Sequence, residues 1–477
     1  MTYTHAELLE LTTFQLRNIC YKEKLVTGLV NNLTRDDLIE TILRYRGTEE
    51  NLLIKNTKEG GFERVEEALQ SYLQTPLSDN GDIKIPAKMT LYSGLKMDER
   101  DQYFVKTGGL LSESNAFLVN DQLELCGIFN VLKSTQASNQ YYLATEEAIG
   151  IRETKNKNYS FIFLRKQDSE YLYKAYYQEQ PLLPVNLHYY KVPIPDLEIK
   201  QLETTKAVLA IDFGTTNTTA GVYLDSDYVS SPCSQDLLNQ RIELEAINFV
   251  AFPDAMHHGE WVEVVPTVLS VADCSDPDRP SYHFGYDALK AMKKNSYTTL
   301  ATKFQGIKRW INNYAKLEEI MDGNGNTALV PRSQILREFI LYVIRMAEHQ
   351  FKCRFKHLHI SSPVKLKTQF IEMFQAILPE YQIESEFALD EGMAVLYNTI
   401  ANQIENNTFV DGREYKALVI DCGGGTTDLS SCKFRIEDGH MSYNIDIQTT
   451  YENGDTNFGG NNITYRIFQF MKIVFAN

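Results

Sequence analysis

The sequence predicts a multidomain chain: a small α-helical N-terminal module, a β-rich middle domain, and a C-terminal α/β domain built from a duplicated β-turn-β unit. Three observations predict it. Apolar residues recur at helical spacing over residues 1–48, and short aromatic and β-branched runs alternate with turn residues over 84–198. Two apolar strands far apart in the chain each run into a glycine turn flanked by aspartate and threonine. At 477 residues the chain is long enough for several separate cores.

Residues 1–48 read as two helices. Leu8, Leu9, Leu11, Leu16, Ile19 and Cys20 mark the first, and Leu38, Ile39, Ile42 and Leu43 the second, which Thr34 caps and Gly47 closes. This pattern resembles a SAP domain or the small N-terminal helical domain of the terminator Rho, both helix-loop-helix modules associated with nucleic acid. Arg17, Lys22, Lys24, Arg35, Arg44 and Arg46 are the basic residues such a partner would use. Acidic residues are equally numerous there, so protein docking is the expected use and nucleic acid the lesser one.

Residues 49–83 read as a helix followed by a linker. From 84 to 200 the runs "AKMTLY", "QYFVKT", "NAFLVN", "YSFIFLRK" and "EYLYKAYY" predict a small β-rich domain whose aromatics form core and cross-strand pairs. The stretch 192–206, "VPIPDLEIKQLETTK", reads as a linker into a domain spanning 201–477.

That domain carries the chemistry. "AVLAIDFGTTNTTAGVYL" (207–224) and "ALVIDCGGGTTDLSSC" (417–432) are each a strand, an aspartate, a glycine turn and a threonine pair. Glycine permits positive φ and close approach to the main chain, and successive N–H groups in such a turn make a concave anion site. Carboxylates and hydroxyls at its rim suit a phosphate with Mg²⁺. Neither turn is a Walker A loop, since no G-x-x-x-x-G-K-[ST] occurs.

In this ordered set the sequence resembles the actin-like ATPases, and among them the ATPase domain of the heat-shock protein 70 (DnaK-like) chaperones. "DFGTTN" (212–217) is similar to the first phosphate motif, "FQGIKRWI" (304–311) to the segment with the catalytic lysine, and "ISSPVKLKTQF" (360–370) to the first connecting segment. "FALDEGMAVLYN" (387–398) resembles the glutamate-bearing helix, "DCGGGTTD" (421–428) the second phosphate motif, and "NGDTNFGGNNIT" (453–464) a stretch specific to the chaperones.

The resemblance implies a two-lobed, ribonuclease H-like duplicated fold that binds Mg-ATP and hydrolyses it to ADP and phosphate. In it Asp212 and Asp421 hold Mg²⁺ through water. The amides of Gly214, Thr215 and Thr216, with Asn217 beside them, and of Gly423, Gly424, Gly425 and Thr426, with Thr427, cradle the phosphates. Lys308 neutralises the γ-phosphate, Glu391 handles the attacking water, and Thr426 and Asp428 assist.

Pro363 matches the family's switch proline, but Ile371 stands where an arginine follows it, so that relay is expected to be missing. In the family the rest of the second lobe, with its adenosine-holding glycine segment, follows the stretch matched by 453–464, so that part of the lobe is expected to be missing. A nucleotide-sensing scaffold without turnover is the alternative, and an actin-like filament former is disfavoured by "GDTNFGG".

Composition narrows the setting. A net charge of −16 argues against nucleic acid or an anionic membrane surface as the main partner, and seven cysteines without a C-x-x-C pair fit a reducing compartment. "MTYTHAELLEL" lacks the form of a signal peptide, and no apolar run approaches ~18 residues, so a cytoplasmic location is expected. His257 and His258 read as surface residues. His357 and His359 share one strand face but have no ligand neighbours at metal spacing.

Overall fold

The computed structural model describes residues 3, 5–22, 25, 30, 33–46, 53–77, 82–134, 140–146, 149–178, 185–257, 260–294, 300–439, 441–455 and 458–476. Lys24, Gly47 and His258 lie outside the described residues. The chain divides into two compact units, Met1–Leu202 and Glu203–Asn477, each mixed α/β. No helix of the described residues is long and apolar enough to cross a membrane.

In the first unit, the helices His5–Leu9, Thr13–Lys22 and Arg35–Arg46 enclose Leu8, Leu16, Cys20, Leu38, Ile39 and Ile42. Thr34 caps the helix Arg35–Arg46 as expected: its Oγ1 accepts from the Asp37 N–H at 3.2 Å, and Asp37 Oδ2 accepts from the Thr34 N–H at 2.9 Å. The single helix expected from Leu8 to Cys20 is two helices instead, because Thr12 starts a new one: its Oγ1 accepts from the Gln15 N–H at 3.3 Å, and Gln15 Oε1 accepts from the Thr12 N–H at 2.8 Å. A seven-stranded sheet follows, its strands beginning, in spatial order, at 73, 187, 159, 114, 125, 140 and 104. Its central strands Ser114–Asn120 and Tyr159–Leu164 are buried along their whole length, because both faces are covered. The helices Gly61–Tyr72 and Lys166–Tyr177 cover one face.

Two expectations change here. "EYLYKAYY" forms the end of the helix Lys166–Tyr177, not a strand, because its inward residues Ser169, Leu172, Tyr173 and Tyr176 recur at i, i+3, i+4 and i+7. The supposed linker 192–206 is also structured. Asp196–Gln201 pairs in parallel with Lys88–Ser93, with Leu197 and Ile199 alternating onto the core, and Glu203–Thr204 pairs with Cys353–Arg354.

The second unit centres on a sheet in the order 246–249, 217–224, 208–213, 357–360, 382–383. The first three strands are antiparallel neighbours, and the last two run parallel to Val208–Phe213. Strand Val208–Phe213 turns Leu209, Ile211 and Phe213 into the core, where Phe339 of helix Arg332–Phe351 and Phe374 of helix Lys367–Ile377 pack on Phe213. Strand period two therefore puts Asp212 on the opposite, open side.

A three-stranded antiparallel sheet, Glu414–Cys422, Thr427–Asp438 and Tyr443–Asp455, repeats the strand-turn-strand-strand pattern. Helix Glu391–Glu405 covers one face through Leu396 and Ile400 against Cys432, Phe434 and Ile436. The other face leaves Leu418 and Ile420 exposed, and the apolar segment 460–476 forms a helix that shows Phe468, Phe470 and Phe475 to solvent.

Candidate functional site

The two glycine turns meet. The first joins Val208–Phe213 to Asn217–Leu224, and the second joins Glu414–Cys422 to Thr427–Asp438. A Cβ on Gly424 would overlap Thr216 Oγ1, and one on Gly425 would lie 2.8 Å from Thr215 Cγ2. None of Gly214, Gly423, Gly424 or Gly425 has positive φ, so these glycines serve close approach rather than left-handed backbone. Gly214 is required because a side chain there would overlap the Asn217 carbonyl. Asn217 opens the second strand, opposite Pro266.

Among the described residues, no acceptor meets the main-chain N–H groups of Gly214, Thr215, Thr216, Gly423, Gly424, Gly425 or Thr426. The carbonyls are used: Gly460 and Asn461 donate to Gly423 and Gly424 oxygens, each at 2.9 Å. Thr427 Oγ1 donates to the Phe458 carbonyl at 3.0 Å. Two adjacent turns thus offer donors with no internal partner, the electrostatic pattern of an anion cradle.

Carboxylates and one lysine line the same place. Lys308, on the 3₁₀ turn Ile307–Asn313, is 4% exposed and forms an ion pair with Glu391, the first residue of its helix. Asp390 caps that helix by accepting from the Met393 N–H at 2.9 Å. Burial pushes the Glu391 carboxyl up. Lys308 opposes this, while Asp212 and Asp421 add to it. Asp421 is pushed up by burial and by Asp212, again against Lys308. Asp212, Asp421, Glu391 and Lys308 are therefore electrostatic neighbours, and one cation faces several carboxylates.

Asp428 is buried, and its carboxyl is pushed up by burial while the Val364 N–H, donating to it, and Lys308 hold it back. It faces the turn after Pro363 rather than open space. Thr426 is buried beneath the second turn.

Three scaffold residues escaped the sequence reading. Ser361 Oγ donates to Asp212 Oδ1 at 2.7 Å and accepts from the Phe213 N–H at 3.2 Å, fixing the carboxylate. Thr267, fully buried, donates from Oγ1 to the Gly214 carbonyl at 2.9 Å and from N to the Thr216 carbonyl at 2.8 Å. Gly459 lies flat on the second turn, where a Cβ would stand 2.6 Å from the Gly423 carbonyl oxygen and 2.7 Å from Gly425 N. Ser361 and Gly459 lie inside quoted segments without a role assigned to them, and a lone threonine carries no periodicity or motif that would mark it.

Elsewhere, His359 serves the scaffold. His359 Nε2 accepts from the Leu389 N–H at 2.9 Å, and burial pushes its pKa down. In the N-terminal module, Arg35 donates to the Leu9 and Leu11 carbonyls at 2.6 and 3.2 Å, and Arg46 pairs with Glu170 at 2.8 Å. Those two cations are committed within the unit.

No protein-family model matches the chain, and no curated protein matches it significantly.

Proposed function

We propose that residues 203–477 bind Mg-nucleotide between the two glycine turns and hydrolyse ATP to ADP and phosphate, as a DnaK-like module of the actin-like type. The observation that carries this is the set of seven main-chain N–H groups, on two touching turns, that no acceptor among the described residues meets. Strand order supports the fold: three antiparallel strands continuing into two parallel ones, then a second three-stranded unit with the same turn.

The donor set fits Mg²⁺. Asp212 and Asp421 offer hard oxygens, and the excess of carboxylate over lysine calls for a divalent ion. When bound, the ion would supply charge neutralisation for phosphoryl transfer. The chain's own residues do the rest. Ser361 holds Asp212 in place, the turn amides orient the phosphates, and Glu391, with its raised pKa, accepts a proton from water once Lys308 moves toward phosphate. Because the turns sit on different sheets, nucleotide state would be read out as lobe rotation. In this reading the first unit recruits a protein client or partner, and the protein works in the cytoplasm.

A second reading, a nucleotide sensor without turnover, is favoured by one observation: Lys308 and Glu391 neutralise each other, so neither of the two is free to act as cation or base. Calorimetric titration of ATP and ADP with Mg²⁺ into the full chain tests both. Micromolar binding is expected, and no binding overturns both readings. Turnover that Lys308→Ala and Glu391→Ala abolish selects the enzyme; binding without turnover selects the sensor.

A further inference from the structure

We infer that Arg309 is a phosphate-binding residue of this site, a cation for the nucleotide's phosphates that is not engaged by a carboxylate. The inference rests on the nucleotide reading above and adds a residue to it.

Position comes first. Arg309 follows Lys308 on the same 3₁₀ turn, with its own N–H donating to the Gly306 carbonyl at 3.1 Å. Its guanidinium lies where the two glycine turns join. Nη2 is 3.4 Å from the Gly425 carbonyl oxygen, and a Cβ on Gly425 would stand 2.9 Å from both Nε and Nη2. Any side chain at 425 would push the guanidinium off the turn, which gives this glycine a reason apart from backbone conformation.

Charge decides between the two cations. Lys308 is buried and paired with Glu391. Arg309 is exposed, and no carboxylate of the described residues lies within ion-pair distance of it. Arg332, Arg337 and Arg354 of this unit, by contrast, are paired with Glu318, Glu380 and Glu348. Among the described residues the Arg309 guanidinium makes one hydrogen bond, to the Gly425 carbonyl, and at 3.4 Å that bond is long and weak. A planar guanidinium with several free donors suits bidentate contact with phosphate oxygens. An anion placed on the turn amides also lies near Asp212, Asp421 and Glu391, so it needs a neutralising cation on the turn side.

The test compares the full-length wild type with Arg309→Ala and Arg309→Lys, titrating Mg-ATP, Mg-ADP and Mg-pyrophosphate by calorimetry. Loss of a charge-assisted contact predicts that Arg309→Ala weakens all three by ~10- to 100-fold, with Arg309→Lys recovering part of the loss. Thermal unfolding of both variants should match the wild type, because the side chain is exposed. Wild-type binding with unchanged affinity in Arg309→Ala overturns the inference and leaves the nucleotide reading standing. Failure of the wild type itself to bind any of the three overturns the nucleotide reading beneath it.

Discussion

Replacing Lys308 should cost far more stability than replacing its partner Glu391, although the two form one ion pair. The asymmetry follows from their neighbours. Lys308→Met leaves Glu391 in a buried position facing Asp212 and Asp421 with no cation, and an uncompensated buried charge costs about 3–5 kcal/mol. Glu391→Gln leaves Lys308 with Asp421 and Asp428 as counter-charges and removes one like charge from the cluster, so the loss is nearer ~1 kcal/mol. The cost of Lys308→Met should shrink as pH falls, because Glu391 can then take up a proton. The chain has two tryptophans, Trp261 and Trp310, both in the second unit, so intrinsic fluorescence during urea unfolding reports that unit. Midpoints at pH 8 and pH 5 for wild type, both single variants and the double variant give the comparison. Equal losses for the two single variants at pH 8 would refute the picture of one cation among several carboxylates.

Asp421 has a raised folded-state pKa, so its contribution favours folding below the ordinary carboxylate value of ~4 and is lost as pH rises through the raised value. Asp421→Asn should therefore stabilise the second unit at pH 8 by on the order of 1 kcal/mol while removing the rise in melting temperature that the proposed Mg²⁺ binding predicts for the wild type; a destabilised variant that keeps a Mg²⁺ response would contradict this. Gly459→Ala should destabilise by about 1–3 kcal/mol, because its Cβ meets main-chain atoms at 2.6–2.7 Å, whereas Gly423→Ala, with nearest atoms at 3.5 and 3.7 Å, should be tolerated by the same denaturation assay. Asp322, fully buried, accepts from the N–H groups of Cys274, Asn324 and Asn326 and from Asn326 Nδ2, so Asp322→Ala should cost about 2–4 kcal/mol in thermal unfolding.

Much of the fold was legible because it is written in period and punctuation. Strand runs such as "NAFLVN" and "YSFIFL" carry their own burial pattern, and Thr34 marks its helix by side-chain chemistry. "EYLYKAYY" misled because tyrosine favours strands on average, while its fate here was set by which residues meet the sheet: Tyr173 and Tyr176 point inward at helical spacing. The linker reading of 192–206 failed similarly, since prolines at 193 and 195 suggest a break but do not prevent the next residues from pairing along Lys88–Ser93.

The site divides along the same line. Asp212, the turn glycines and Asp421 announce themselves by local pattern. What holds them is contact across the chain, which no single segment encodes. Ser361 reaches Asp212 from the neighbouring strand, Thr267 braces the first turn, and Gly459 seats the second. Lys308 shows the consequence. The family resemblance nominates it as a cation for phosphate, yet its energetic state depends on Glu391, which arrives from a separate helix. A motif names the atoms available to a ligand, whereas their charge balance is settled by tertiary neighbours. That balance makes the neighbouring Arg309, which the motif passes over, the cation exposed at the joined turns.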